Sequence, residues 1–453
     1  VWGMQQRNKS HPWDQWRRVL VVGLGKTGFA CARFLAGLGV DVAITDSRAH
    51  PPELERAKEQ LPDVALFLDG FDAAAFDAAD AIVVSPGVSV REPLIAEALV
   101  QHKPVVGDVD LFAAVAEAPI VAITGSNGKS TVTTLFGEMA QQAGKRTAVG
   151  GNLGTPLLEL LDKDAELYVV ELSSFQLETT HALDPAAAVV LNISEDHMDR
   201  YRDLGEYCAA KARVFGHGGT MVLNADDPRV AAMARPGRET IWFGLSERLD
   251  GYGLKKTDDG IWLLRGDQRL MSTSELALTG RHNLANAMAA LALGEAIGLP
   301  REAMLTALRR YTGLAHRCQW VGERDGVVWI NDSKATNVGA SVAALEGFDQ
   351  PVVLIAGGDA KAADLTPLRE PVGRHARAVV LLGRDAPLLE QVLAGTVPLH
   401  RTQTLEEAVR LAARLAQPGD VVLLSPACAS LDMFSDYRER GERFSAAVRS
   451  LPA

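Results

Sequence analysis

The sequence predicts an α/β protein of three domains in series. A Rossmann-like N-terminal domain is expected over 1–107, a central phosphate-loop (P-loop) domain over 108–312 and a C-terminal Rossmann-like domain over 313–453. Three observations lead there. Short apolar runs alternate with stretches of helical periodicity along the chain, the pattern of βαβ units. Residues 119–131 read Pro-Ile-Val-Ala-Ile-Thr-Gly-Ser-Asn-Gly-Lys-Ser-Thr, an apolar strand feeding a glycine-rich turn and then a helix. In the last third, several strands end in small polar residues, which is how an open α/β sheet lines a ligand crevice.

In the first domain strands are expected at 19–22, 42–45 and 81–84, with helices near 29–38 and 53–60. Residues 105–111 cross into the second domain, where strands are expected at 120–123, 167–170, 187–191 and 220–223. The alanine- and leucine-rich stretch 282–297 should form a long helix. Strands at 327–330, 352–355, 378–382 and 421–424, with helices between, complete the third domain. The polar opening 1–18, with Trp2, Trp13 and Trp16, has no apolar signal-peptide core and is set apart as an extension.

A chain of 453 residues is too long for one core. Its net charge of −11 argues against general nucleic-acid binding. An anionic ligand must therefore be held by local cations, helix N-termini or metal. Cys31, Cys208, Cys318 and Cys428 are far apart with no CxxC, so neither a zinc site nor a disulfide framework is indicated. That suits a reducing cytosol. No apolar run approaches the ~18 residues that cross a membrane. A cytoplasmic location without membrane insertion is the expectation.

The turn at 125–131 carries the most specific chemistry. Backbone N–H groups of Gly125, Ser126, Asn127 and Gly128 are placed to surround phosphate oxygens at the positive end of the following helix. Lys129 adds a charge on the outer phosphates and Ser130, followed by Thr131, offers a hydroxyl to Mg²⁺. The usual pattern has a further glycine at 123, where this chain has Ile.

A second glycine turn, Gly23-Leu-Gly-Lys-Thr-Gly28, follows the first strand, and Asp46 closes the next. Alone this is a dinucleotide fingerprint with a carboxylate for a ribose hydroxyl. Hydride transfer would leave the 125–131 loop unexplained, so two nucleotide-binding domains are the better reading, one for a diphosphate-bearing substrate and one for ATP. Ser85-Pro86-Gly87 ends another strand at the same edge, and a plain turn fits it equally well.

Glu171 ends the strand 167–170 and leads into Leu-Ser-Ser-Phe-Gln, a position where such folds hold Mg²⁺. Ser173 and Gln176 have capping-box spacing. His197 lies on the loop after Asn192, and a lone loop histidine is more often simply solvated. Lys211, in Tyr207-Cys-Ala-Ala-Lys-Ala-Arg, reads from its residues as a surface lysine. In the third domain, Asn331-Asp-Ser-Lys-Ala-Thr-Asn337, Gly357-Gly-Asp-Ala-Lys361 and Ser425-Pro-Ala-Cys-Ala-Ser430 converge on one sheet edge, which suggests a small acidic ligand. Arg317, after His316, is placed to offer its guanidinium to ATP.

Together these residues resemble the Mur ligase family, which builds the peptide of bacterial cell walls. The likeness runs over about 17–448 and is most specific at 124–131, 171–177, 196–200, 315–317, 331–339 and 424–432. The Asp-Ser-Lys-Ala-Thr-Asn and Ser-Pro-Ala-Cys-Ala-Ser stretches point to its D-glutamate-adding branch. Folylpolyglutamate synthase, a rival that shares the loop, lacks a complete UDP-binding first domain.

The resemblance implies ATP-dependent addition of D-glutamate to UDP-N-acetylmuramoyl-L-alanine through an acyl phosphate, by a monomer with two Mg²⁺ ions or Mn²⁺ in their place. It implies a UDP-substrate site at Gly25, Lys26, Thr27, Asp46, Ser47, Arg48, Ser85, Pro86 and Gly87, with Asn152 and His197 near the reacting carboxylate. Lys129, Ser130 and Glu171 would take ATP and the first metal; His197 and Lys211, the lysine as a carbamate, the second. Asn283, Arg317 and Asp332 would help hold ATP. Lys334, Thr336, Lys361, Ser430, Leu431 and Tyr437 would receive D-glutamate. Where the family tends to have Gly-Asp-Gly-Lys-Gly, this chain has Ala360 and Ala362, whose methyl groups are expected to restrict the backbone around Lys361. Three ligands on three domains also imply closure about a hinge near 312.

Overall fold

The structure is a computed structural model that describes residues 11–198, 200–276, 278 and 280–451. The stretch 1–10 of the expected extension, with Trp2, and Asp199 of the 196–200 motif lie outside the described residues.

Three sheets follow one another along the chain. The first is parallel, in the spatial order Ala65–Phe67, Asp41–Thr45, Arg18–Val22, Ala81–Val84, Val105–Val106. Strand order reverses between Arg18–Val22 and Ala81–Val84, so a crevice opens at their carboxyl ends, where the turns at 23–28 and 85–87 emerge. The central strands read as unbroken apolar runs because both faces are covered.

In the middle sheet Ile120–Thr124 lies between Leu167–Glu171 and Ala187–Val190, with Thr147–Gly151 outside Leu167–Glu171. Register pairs Ile123 with Glu171, Glu171 with Gly151 and Thr124 with Val190. The phosphate loop, Glu171, Asn152 and Asn192 therefore leave the sheet side by side. Beyond Thr220–Asn224 and Thr240–Phe243 the sheet continues through Gly251–Thr257, Gly260–Arg265 and Gln268–Ser272. These last three strands, joined by two-residue turns, are absent from the sequence reading. Their charged residues mask the alternation of an edge hairpin, although Gly266-Asp267 is a turn signal that could have exposed it.

The third sheet runs Gln319–Arg324, Val327–Asn331, Val421–Leu424, Val352–Gly357, Ala376–Leu382, Leu399–Arg401, antiparallel only at the first edge. Asn331, Leu424 and Gly357 end at the same edge, as the polar clusters predict. Expected strands and helices are found here and elsewhere with ends shifted by a few residues.

The two joints between sheets differ. A single apolar cluster runs from Trp13, Phe29 and Leu35 through Val109 and Phe112 to Leu157, Tyr168 and Tyr207. The first sheet is thus welded to the middle one. The apolar clusters of the third sheet begin at Cys318 and share no residue with those of the middle sheet. At that joint, among the described residues, a cavity and cross-domain hydrogen bonds take the place of a common apolar cluster.

Candidate active site

Gly128 caps the helix Lys129–Gln142 at φ +83°, and a Cβ there would lie 2.4 Å from Asn286 Oδ1, so only glycine fits. Asn192 braces the loop: its Oδ1 accepts from Asn127 N (2.8 Å) and its Nδ2 donates to Asn127 O (3.1 Å). Ser194 N donates to Ser126 Oγ (2.9 Å), which donates to Ser194 O (3.0 Å). Lys129 Nζ donates to the carbonyls of Gly125 (2.9 Å) and Ser126 (2.8 Å). From the third domain, Arg317 donates to Ser130 Oγ at 2.7 Å. The sequence reading left Asn192, Ser194 and Asn286 without a role. A polar residue directly after a buried strand was the available signal.

Lys211 corrects the surface-lysine reading, since it is only 1% exposed. The helix Leu204–Ala212, capped by Asp203, turns Tyr207, Ala210 and Lys211 inward. Lys211 Nζ donates to Gly125 O (2.9 Å) and lies 4.7 Å from the centre of the Tyr207 ring. Burial, and then the neighbouring Lys129 charge, push its ammonium well below the ordinary lysine range. The shift favours the neutral amine, which is the nucleophilic form.

Glu171 is buried, with Oε1 accepting from Asn152 Nδ2 at 2.6 Å and Oε2 without a hydrogen-bond partner. An orphaned carboxylate oxygen beside a phosphate loop fits a cation. Among the described residues no three His, Cys, Asp or Glu side chains cluster as a metal cage. The donor set therefore suits Mg²⁺, which pairs one or two carboxylates with phosphate and water. His197 (φ +58°) has its ring 4.7 Å from that of Phe175 and Nε2 3.6 Å from Asp196 Oδ2. On the same loop Arg200 pairs with Glu178 and donates to Pro86 O (2.8 Å) and Val88 O (2.9 Å). It thereby ties the His197 loop to the first-domain turn at 85–88.

In the first crevice Gly25, Lys26 and Thr27 open the helix Lys26–Gly37, and Ser85 is buried beside Pro86 and Gly87. Asp46 does not present a bare carboxylate for a ribose. Its Oδ2 accepts from Leu24 N and Arg48 Nη2, both at 2.7 Å, and its Oδ1 from Arg48 N (2.9 Å) and Nε (2.8 Å). Burial raises the Asp46 carboxyl, but the bonds from Arg48 and Leu24 outweigh it and leave the group below the usual carboxylate range. Asp46 braces the turn, leaving Ser47 and Arg48 exposed at its mouth.

A cavity of about 280 Å³ lies in the joint between the middle and third sheets. Its lining includes the polar Asn127, Thr131, Asn283, Arg317, Asp332 and Lys334 and the apolar Leu191, Phe243 and Leu245. Residues expected to hold ATP and one expected to hold D-glutamate thus line the same cavity. Burial pushes the Asp332 carboxyl up to about 7, although Ser425 Oγ (2.8 Å) and Cys318 N (3.1 Å) donate to it. Burial, then Arg317 and Lys129, bring the Lys334 ammonium down to about 8. Its Nζ lies 4.1 Å from the centre of the Tyr437 ring.

The rest of the expected amino-acid site is spread around this corner. Ser430 is buried, Thr336 is half-buried, and Leu431 is 70% exposed. Lys361 is exposed, yet its charge contributes to the lowering at Lys334. The two alanines around it differ. Ala360 keeps an ordinary backbone and donates its N–H to Asp385 Oδ2 at 2.7 Å. Ala362 is left-handed at φ +56°, next to Lys361 at +50°. The left-handed cost exceeds glycine's entropy cost, so Ala362→Gly is expected to stabilise the protein by about 0.5–1 kcal/mol. Urea unfolding measures this, and an unchanged or lower midpoint contradicts the strain.

A phosphate-loop sheet between two Rossmann-like sheets, with the phosphate loop and Arg317, Asp332 and Lys334 of the third domain around one cavity, defines a three-domain nucleotide-dependent enzyme of the α/β class. Profiles of three domains match the chain. They are the Mur ligase MurD-like N-terminal domain over 17–107, the Mur ligase middle domain over 123–294 and the Mur ligase glutamate ligase domain over 316–428. The chain belongs to the Mur ligase family. It is 57% identical over 436 residues to UDP-N-acetylmuramoylalanine–D-glutamate ligase from Nitrosococcus oceani, covering 95% of this chain and 96% of that one. It is 55% identical over 436 residues to the protein of that name from Methylococcus capsulatus, covering 96% and 95%. Among solved structures, a pseudomurein peptide ligase type C from Methanothermus fervidus matches with a TM-score of 0.58 at 19% identity, covering 90% and 96%. UDP-N-acetylmuramate–alanine ligase from Thermotoga maritima matches with a TM-score of 0.55 at 18% identity, covering 96% and 99%. These two distant likenesses concern the fold alone.

Proposed function

We propose that this chain is an ATP-dependent ligase that joins D-glutamate to UDP-N-acetylmuramoyl-L-alanine, in the cytoplasmic synthesis of peptidoglycan precursors. The observation that carries the chemistry is the joint itself. There Asn127, Gly128 and Thr131 of the phosphate-loop segment share one cavity with Arg317, Asp332 and Lys334 of the third domain, Arg317 donates to Ser130, and the Lys129 charge acts on Lys334. The choice of amino acid and nucleotide-sugar rests on the likeness to the D-glutamate ligases. No helix among the described residues is long and apolar enough to cross a membrane.

In this reading the substrate carboxylate attacks the γ-phosphorus of ATP, and ADP leaves. The amine of D-glutamate then attacks the acyl carbon, and inorganic phosphate departs from the tetrahedral intermediate. Lys129 and Arg317 balance charge on the phosphates, while Asn283 and Asp332 hold the nucleoside. Lys334, Lys361, Thr336, Ser430, Leu431 and Tyr437 receive the amino acid. The first-domain crevice anchors the UDP end, with Asn152 close to the reacting carboxylate. Glu171 and Ser130 would hold one Mg²⁺, and His197 with carboxylated Lys211 a second; the ions would neutralise the charge between carboxylate and triphosphate. For Lys211 to serve, its neutral Nζ adds to CO₂, forming an N–C bond and releasing a proton.

The direct test is phosphate release with UDP-N-acetylmuramoyl-L-alanine, ATP and Mg²⁺, comparing D-glutamate with L-glutamate, D-aspartate and L-alanine. Release specific to D-glutamate is expected, and release independent of any amino acid sinks the reading. The lowered Lys334 gives a further prediction. Its ammonium is charged below about 8, and the carboxylate-binding charge is lost as pH rises through that value. kcat/KM for D-glutamate should then decline, by about tenfold per pH unit. Arginine stays protonated, so Lys334→Arg should move that decline to higher pH. A limb that stays in place rules the lysine out as its source.

A further inference from the structure

The helix Val338–Leu345 begins at the joint, and its cap faces two ways. Asn337 Oδ1 accepts from Ala340 N at 2.8 Å, which is ordinary N-capping. Its Nδ2 crosses the joint and donates to Asn127 Oδ1 and Asp196 Oδ2, each at 3.3 Å. One amide therefore touches both the phosphate loop and the loop that carries His197. We propose that Asn337 is a positioning residue that latches the third domain onto the phosphate loop in the bond-forming state, independently of its service as a helix cap. The proposal rests on the ligase reading above.

Two further observations support the latch. A Cβ on Gly339 would lie 2.6 Å from Ser194 Oγ and 2.8 Å from Ser194 Cβ. Ser194 cannot withdraw, because Ser126 holds both its N–H and its carbonyl. The first turn of the helix is thus fitted to these loops at a distance that admits no side chain. Among the described residues no apolar cluster spans the joint, so polar contacts such as Arg317–Ser130 and those of Asn337 carry part of the docking. The peptide near 312 can then act as the hinge, and loss of one contact has a large effect.

Three variants separate latch from cap. Aspartate caps a helix as well as asparagine does. In Asn337→Asp, however, a carboxylate oxygen replaces the donating NH₂ and faces the Asp196 carboxylate. Asn337→Ala loses both functions. Gly339→Ala favours the helix but blocks its approach. The latch predicts that Asn337→Asp melts like the parent yet turns over about 10- to 100-fold more slowly, with KM for the nucleotide-sugar unchanged. Gly339→Ala should melt no lower and be similarly slow. A cap-only role predicts the opposite order, with Asn337→Ala impaired and Asn337→Asp normal. Small-angle scattering with an ATP analogue and the nucleotide-sugar gives a second readout, in which the parent should be more compact than Asn337→Asp. Compaction is measured without ligation, so it judges the latch even if the amino acid proves to be a different one. Parent-like turnover and compaction in Asn337→Asp overturn the proposal.

Discussion

Replacing Lys129 with alanine is expected to lower ligation by on the order of 10³-fold or more while leaving the nucleotide-sugar bound. The lysine opens the helix at the phosphate loop, and its Nζ rests on the Gly125 and Ser126 carbonyls. Burial makes its charge costly to keep, although Glu171 and Asp196 attract it from nearby. A charge held at that cost stabilises the outer phosphates far more than one in water, because little solvent screens it. Without it, the negative charge of the attacking carboxylate meets a less neutralised triphosphate. The first-domain crevice is untouched by the change, so KM for the nucleotide-sugar should stay near its parent value. Single-turnover formation of ADP and acyl phosphate reads the step directly. Full activity in this variant would falsify the assignment of the loop.

Lys211→Met should separate activity from stability. The parent buries an amine whose charged form is disfavoured by desolvation and by Lys129. A methionine of similar length fills the space without that cost, and Gly125 O still accepts from Lys129. The variant should therefore melt no lower than the parent, yet, if Lys211 serves the second metal as proposed, lose roughly 10²- to 10³-fold in turnover. The sign of the pH effect follows. Lys211 binds a proton less readily folded than unfolded, so the parent gains stability as pH rises from its folded pKa towards the unfolded value of about 10.4. The methionine variant lacks that gain. Carbon-13 bicarbonate should give the parent, and not the variant, a carbamate resonance. A variant that ligates normally, or a parent indifferent to removal of CO₂, contradicts the role.

Much of the site was legible from local pattern. A strand that ends in glycine, lysine and serine creates its phosphate cradle within a few residues, since the geometry depends on local φ and ψ and on the helix that follows. Ser173 and Gln176 form the capping box that their spacing predicts. The polar ends of three third-domain strands do meet at one edge. The antiparallel strands at 251–272 were hard to read because Lys255, Lys256 and other charged residues obscure their alternation, leaving the Gly266-Asp267 turn as a local signal. For Asp46 the local pattern did not show that Arg48, two residues away, donates to both of its carboxylate oxygens.

Local sequence by itself determined the order of strands and helices, the phosphate loop and the run of polar strand ends, because hydrophobic period and turn chemistry act over a few residues. Tertiary structure alone decided what burial does to those groups. Lys211 has its ammonium disfavoured only because the fold buries it away from water and sets the Lys129 charge beside it. Asn337 meets Asn127 across 210 residues, at a joint that no local pattern records. Desolvation and interdomain fit are properties of distant surfaces brought together, and a linear chain does not display them.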